Sequence, residues 1–129
     1  MYRWVEHTAE LELAIEAPTQ EAVFEEALAA YAELVGPSLE GEPVVHFVEA
    51  EAPDRAALLA AWLDELVFLA ETEAFVPERA EIALSPGAVS ARVVGHHGDP
   101  PHVVKAVTYH ELEFSPAGAG WQARVVLDV

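Results

Sequence analysis

Acidic residues near both ends of the chain are the residues whose chemistry is easiest to interpret. Glu10 follows His7-Thr8-Ala9, and a carboxylate at the start of a strand is suited to binding a cation. Asp128 is followed by Val129, so a chain that ends there places an α-carboxylate one residue from the Asp128 side chain. Clustered carboxylates with no lysine nearby in sequence favour hard divalent cations such as Ca²⁺, Mg²⁺ or Mn²⁺.

Plainer interpretations of the same residues stay open. Glu10 shares its alternation with Glu12 and Glu16, so it can equally be one of three solvated acids on a strand. Asp128 can belong to a frayed acidic end, although it closes an alternating strand with apolar partners, which favours a terminus held in place. His7 considered by itself is more typical of a surface or helix-capping histidine than of a metal ligand.

Two later segments also carry polar groups of interest. Lys105 is the only lysine, and it suits either a pairing or phosphate-contacting role or a strand-edge position with its stem along apolar surface. The stretch 96–102 contains three histidines and an aspartate. Because glycine and prolines interrupt this stretch and it lacks a fixed helical spacing, we predict a solvated loop rather than a metal cluster.

Positive signs of catalysis are missing from the sequence. There is no cysteine, which excludes thiolate catalysis, disulfides and cysteine-ligated metals. The G-x-S-x-G, P-loop, G-x-G-x-x-G and H-E-x-x-H motifs are absent. The sequence therefore indicates no catalytic nucleophile paired with a general base. Asp64 and Glu65 lie on a predicted helix, and the sequence does not decide whether either acid turns toward a site.

Hydrophobic periodicity predicts the elements that must position these residues. A period of two over Leu11–Glu16 predicts a strand, and Thr19 caps a helix that Gly36-Pro37 ends. A β-branched and aromatic run predicts a second strand over Val44–Val48, and Asp54 caps a second, more buried helix. Further strands are predicted at about 80–84, 89–95, 110–114 and 121–128.

This element order predicts an α+β fold with two helices packed on a largely antiparallel β-sheet. The chain has 129 residues, of which 53% are hydrophobic. That length supports one domain with its own core, and we detect no linker or internal repeat. We therefore predict a single domain over 1–129.

The charge balance restricts the partners. Six Lys and Arg residues stand against 23 Asp and Glu, giving a formal net charge of −17. Direct nucleic-acid binding is disfavoured, because proteins bind phosphates through basic side chains and this chain has few of them. An acidic surface instead suits divalent cations or a basic protein partner. The N-terminus lacks a signal-peptide pattern and no apolar run approaches the roughly 20 residues that span a bilayer, so we predict a soluble, cytoplasmic protein with no membrane partner.

Five segments in order along the chain give it a resemblance to the archease family. They are His7-Thr8-Ala9-Glu10, the helix opening at 19–24, Leu58–Leu66 with its Trp-Leu-Asp-Glu-Leu run, Val104–His110 with its Lys-Ala-Val-Thr-Tyr-His run, and Val126–Val129. Each segment by itself is weak evidence for the family. Together they span nearly the whole chain.

The resemblance implies a small accessory protein and not a catalyst. Archease-like proteins assist the RtcB-type RNA ligase, which joins RNA ends in tRNA splicing and RNA repair using GTP and Mn²⁺, by speeding guanylylation of the ligase and permitting multiple turnovers. They bind a divalent cation through residues that match Glu10, Asp128 and the α-carboxylate of Val129 here. Lys105 matches a functional lysine, and we retain His7 and His110 as candidate functional residues because they belong to the matched motifs.

One departure and two alternative functions accompany this interpretation. The family usually has aspartate where this chain has Glu10, and the extra methylene moves the carboxylate by about a bond length. A general chaperone-like interaction module would fit the acidity and the missing nucleophile. A small metal-dependent hydrolase would use Glu10 and Asp128 as ligands, with His7 or His110 as acid or base.

Overall fold

The computed structural model describes residues 1–7, 10–36, 41–98 and 103–129, apart from the side chain of His7. This part of the chain forms seven strands and two helices. In chain order they are β1 (Tyr2–His7), β2 (Glu10–Ala17), α1 (Gln20–Val35), β3 (Val44–Glu51), α2 (Arg55–Glu73), β4 (Phe75–Ser85), β5 (Ala88–His97), β6 (Ala106–Ala117) and β7 (Gly120–Asp128).

The strands form two antiparallel sheets, with orders β1-β2-β7-β6 and β3-β5-β4. The predicted α+β class is confirmed, but the strands form two sheets and not the single predicted sheet. Each helix packs against strands of both sheets, so the two helices cover an apolar face of each sheet. Neither described helix is long and apolar enough to cross a membrane.

Strand β2 follows the predicted alternation. Leu13 and Ile15 are buried, while Glu12 and Glu16 project to the opposite face. Strand β1 was not predicted, and it pairs with β2 along its whole length. Tyr2 and Trp4 pack against the core from β1, and β1 forms an edge of the larger sheet.

Both helix starts are confirmed at the predicted caps. The Thr19 hydroxyl accepts a hydrogen bond from the Ala22 N–H at 3.1 Å, and the Asp54 carboxylate accepts one from the Ala57 N–H at 2.8 Å. Helix α1 ends at Gly36, whose φ of 91° lies where glycine is favoured. Pro37, the other predicted stop signal, lies outside the described residues.

Helix α2 is confirmed as a heavily buried element. Its buried side chains are Leu58, Leu59, Ala60, Trp62, Leu63, Leu66 and Val67. Trp62 is completely buried, and its indole N–H donates to the carbonyl of Phe24 in α1 at 3.1 Å. This contact ties the two helices together in the middle of the core.

Strands β4 and β5 are longer than predicted. Strand β4 begins at Phe75 and not near Ala80, because Pro77 is accommodated where the pairing with β5 shifts register. Strand β5 continues through His97. The prediction of a loop at 96–102 is therefore wrong for its first two residues, since both lie in β5; His96 is buried there, whereas His97 is exposed. Residues 99–102 lie outside the described residues.

Gly95 is expected to tolerate no side chain. A Cβ at this buried β5 position would clash with the Val76 carbonyl oxygen and lie 2.9 Å from the Pro77 Cα. Because these are backbone atoms of the paired strand, they cannot rotate away. Gly95→Ala should lower the free energy of unfolding by about 3 kcal/mol in urea titrations. Ser90→Ala, at an exposed position of the same strand, should change it by less than about 0.5 kcal/mol, and equal losses would contradict the steric explanation.

Candidate cation site on the larger sheet

The larger sheet brings the two acidic ends of the chain together. Strands β2 and β7 are neighbours in its centre, and their register places Glu10 directly opposite Asp128. Directly opposed residues of an antiparallel pair have Cβ atoms about 4.5–5.5 Å apart. The two carboxylates that the sequence separates by almost the whole chain are therefore cross-strand neighbours.

Both carboxylates lie on the outer face of this sheet. Val125 and Leu127 are completely buried on the inner face of β7, so alternation places Asp128 on the opposite face. Glu10 lies on the outer face of β2 for the same reason, opposite in direction to buried Leu13. Both acids are half-buried, which leaves them accessible while partly sheltered by their neighbours.

The segment containing Lys105 lies beside Asp128. The backbone N–H of Lys105 donates to the carbonyl of Asp128 at 2.8 Å, and the next residue, Ala106, lies opposite Asp128 in the sheet. The Lys105 side chain is exposed. The structure thus brings the only lysine of the chain next to the acid pair by a backbone contact.

The other candidate residues are placed differently. His7 lies opposite Glu10 on β1, although its side chain is outside the described residues. Val129 follows Asp128 just beyond the end of β7. His110 is exposed and lies where β6 loses its pairing with β7, 3.9 Å from the Glu111 carboxylate. The structure therefore gathers His7, Glu10, Lys105, Asp128 and Val129, and leaves His110 further along β6.

Two opposed carboxylates offer the oxygen donors that hard divalent cations prefer, but two side chains alone do not complete such a site. Like charges directly opposed across two strands repel each other, and a bound cation converts that repulsion into attraction. Within the described part of the chain, no three His, Asp or Glu side chains gather closely enough to hold a metal. The Glu10 and Asp128 carboxylates would therefore need further oxygen ligands, which Ca²⁺ and Mg²⁺ accept from backbone carbonyls, a terminal carboxylate or water.

Asp64 is the residue whose orientation the sequence left undecided. Its side chain is exposed, on the part of α2 that packs against β6. Desolvation raises the pKa of Asp64 and the charge of Glu65 raises it further, while the Val107 N–H opposes these effects by lowering it. Helix α2 packs against β6, the strand that borders the acid pair.

Asp64→Asn is expected to stabilise the protein near neutral pH. The raised pKa means that the folded state holds the Asp64 proton to a higher pH than the unfolded state does. Stability therefore falls as pH rises from about the ordinary aspartate pKa of 3.9 through the raised value. Asparagine keeps an oxygen for the Val107 N–H and removes the charge. Because the Asp64 side chain is exposed and solvent screens its charge, we expect a gain of only about 0.3 kcal/mol at neutral pH and none below pH of about 3, measured by urea unfolding.

Glu65→Gln provides the matched control for Asp64→Asn, since it changes the net charge by the same amount at the neighbouring residue. Glu65→Gln should stabilise the protein less than Asp64→Asn does. It removes only the repulsion between Glu65 and Asp64 and leaves the Asp64 carboxylate desolvated. Equal gains in the two variants would show that net charge, and not the environment of Asp64, is responsible.

The fold and the paired carboxylates define a small acidic α+β protein with a candidate cation site on the outer face of its larger sheet. The sequence model of the Archease protein family (MTH1598/TM1083) matches residues 2–129. The chain belongs to the archease family.

Individual relatives agree with this assignment. The chain is similar to protein archease of Pyrobaculum calidifontis, with 34% identity over 139 residues that cover 99% of this chain and 95% of the relative. It is similar to protein archease of Methanosarcina mazei at 30% identity, with the same coverage of both chains.

Solved structures share the fold. The solution structure of protein 1598 from Methanobacterium thermoautotrophicum matches with a TM-score of 0.82 and 28% identity, covering 99% of this chain and 98% of that one. A crystal structure of a Thermotoga maritima archease, described as a possible chaperone, matches with a TM-score of 0.65 and 24% identity, covering 100% and 98%. This last likeness concerns the fold alone.

Proposed function

We propose that this protein is a divalent-cation-binding accessory protein that activates an RtcB-type RNA ligase by promoting its GTP-dependent guanylylation and turnover. It would act in tRNA splicing and RNA repair, in the cytoplasm. The observation that carries the proposal is the register pairing of Glu10 with Asp128, next to the Lys105 backbone. The resemblance of the motifs to the archease family supplies the partner.

The residues of the acid pair have defined parts in this proposal. The Glu10 and Asp128 carboxylates hold the cation, and a chain that ends at Val129 adds its α-carboxylate. The cation supplies local positive charge and oxygen affinity at a surface that is otherwise strongly acidic. Glu10 has one methylene more than the aspartate usual in the family, so its carboxylate would hold the cation from a position about a bond length further from the strand.

Charge supports a protein partner and not direct contact with RNA. The formal net charge of −17 repels phosphates and steers the protein toward a basic surface, such as the RNA-binding cleft of a ligase. The protein would then contribute to the ligase reaction without carrying out its chemistry.

The proposal is tested by GTP-dependent guanylylation of a purified cognate RtcB-type ligase, with and without this protein. The intact protein should raise the rate of guanylylation, and Asp128→Asn should abolish most of that stimulation. Glu16→Gln is the matched control, because Glu16 lies on the same strand and face as Glu10 but opposite Gln122, away from the acid pair. It should stimulate as the intact protein does.

Each other outcome has a defined meaning. No stimulation by the intact protein would reject the ligase function and favour a general chaperone, which would suppress aggregation of unrelated proteins regardless of Asp128. Stimulation that survives in Asp128→Asn would retain the function and reject the cation site. Metal-dependent phosphoester hydrolysis by the isolated protein would instead support the hydrolase alternative.

A further inference from the structure

Strand β3 is the least protected of the four edge strands in the described part of the chain. Strands β1 and β6 form the edges of the larger sheet, and β3 and β4 form those of the smaller one. Proteins guard such edges with basic residues, prolines or irregular pairing, because an open edge can pair with another chain. Strand β1 carries Arg3, β4 has Pro77 at a register shift, and β6 has a register shift between Thr108 and Glu113. Strand β3 has none of these features.

The backbone of β3 is regularly paired on one side only. All eight of its residues, Val44–Glu51, lie opposite residues of β5 in one continuous register. Among the described residues, no other strand pairs with β3. Its second side therefore presents a row of backbone N–H and C=O groups, to which an extended segment can add as a further strand.

The side chains of β3 add an apolar contact to this edge. Alternation places Val45, Phe47 and Glu49 on the outer face of the smaller sheet, opposite in direction to buried Val48. Val45 is 37% exposed and Phe47 is 80% exposed. Because side chains of neighbouring strands contact each other across the pair, the Phe47 ring is available to a strand that adds beside β3.

The charges of β3 are all negative. Glu49 and Glu51 are exposed, and the strand contains no lysine or arginine. Arg92, which lies opposite Phe47 in β5, has Glu81 of β4 on its other side, so a cross-strand acid offsets its charge. Opposite charges across paired strands are favourable and like charges are not. The edge therefore favours a strand that carries Lys or Arg.

We propose that β3 is a docking edge, at which an extended segment of a protein partner with alternating apolar and basic side chains adds as a fourth strand of the smaller sheet. The backbone of β3 supplies hydrogen bonds, Phe47 contacts the apolar side chains, and Glu49 and Glu51 attract the basic ones. This inference goes beyond the proposed function and does not depend on it, because the Glu10 and Asp128 pair lies on the other sheet.

Charge complementarity favours this occupant over a second copy of the chain. Two copies of β3 placed side by side would bring the acids of one copy next to those of the other, and each chain carries a formal charge of −17. Like charges juxtaposed across an interface oppose association. A basic segment is attracted to the same edge and forms backbone hydrogen bonds once it arrives.

The test uses a fluorescently labelled peptide of alternating lysine and valine, eight residues long to match β3, with binding followed by fluorescence anisotropy. The intact protein should bind the peptide. Phe47→Lys should raise the dissociation constant about tenfold, because it removes the apolar contact and adds a like charge. Phe68→Lys is the matched control, since it makes the same change at a phenylalanine that is 56% exposed on α2. It should bind as the intact protein does, and circular dichroism checks that both variants are folded.

A second peptide separates strand addition from simple attraction between opposite charges. It has the same sequence with N-methyl groups on its four central residues, which remove backbone donors along both of its edges and keep its charge. It should bind the intact protein about tenfold more weakly. Amide hydrogen exchange then locates the site: the unmethylated peptide should slow exchange over Val44–Glu51 and leave β1 unchanged.

Four results would overturn the docking edge. They are no binding of the lysine and valine peptide by the intact protein, equal affinity for the two peptides, equal weakening in Phe47→Lys and Phe68→Lys, and slowed exchange in β1 instead of β3. Asp128→Asn should bind the peptide as the intact protein does. Failure of the docking edge is therefore distinguishable from failure of the proposed ligase function.

Discussion

Trp62→Ala is expected to lower the free energy of unfolding by about 3–5 kcal/mol, the largest stability loss that we predict from a single substitution. Trp62 is completely buried, and its ring lies 6.5 Å from that of Phe24, centroid to centroid. Alanine would leave a cavity between α1 and α2 and remove the hydrogen bond to the Phe24 carbonyl. Domains of this size are stable by only about 5–15 kcal/mol, so the variant should be marginally folded.

The loss in Trp62→Ala is best measured by chemical denaturation followed by far-UV circular dichroism, since fluorescence would lose one of its three tryptophan reporters. Trp62→Phe separates volume from hydrogen bonding. It keeps an aromatic ring in place and should cost only about 1–2 kcal/mol. If Trp62→Phe were as damaging as Trp62→Ala, the hydrogen bond and not the packing would be the main contribution.

Added divalent cation is expected to stabilise the intact protein and to have little effect on Asp128→Asn. A cation that binds only the folded state contributes about 2.7 kcal/mol at a free concentration of about 100 times its dissociation constant. For a domain of this length, such a contribution corresponds to an increase of several degrees in the melting temperature. Without added cation, Asp128→Asn should melt at or slightly above the temperature of the intact protein, because it removes a like charge opposite Glu10.

Thermal unfolding with increasing Ca²⁺, Mn²⁺ or Mg²⁺, each compared with a chelator, provides this measurement. Glu16→Gln is again the control, and it should respond to cation as the intact protein does. Equal stabilisation of the intact protein and Asp128→Asn would mean that cations act on the general acidity of the surface. That result would locate binding away from the Glu10 and Asp128 pair.

Local patterns were sufficient to predict most elements of the fold. Thr19 and Asp54 start helices because a side-chain oxygen satisfies the N–H group three residues later, an interaction that depends only on near neighbours. The patterns were less reliable where tertiary contacts override them. The Pro77 region is a strand because a register shift accommodates the proline, and the edge strand β1 is defined by its pairing with β2.

The residue types of the candidate site, the two capped helices and the strongly acidic charge can all be predicted without a structure, because they depend on composition and on neighbours within a few positions. The position of Glu10 opposite Asp128 and the hydrogen bond from the Lys105 N–H to the carbonyl of Asp128 depend instead on how distant strands pair. Sheet register is a long-range property, set by which apolar faces become buried together. Composition and periodicity near residue 10 say nothing of its partner at residue 128, which only the resemblance to the archease family had assigned to the same site.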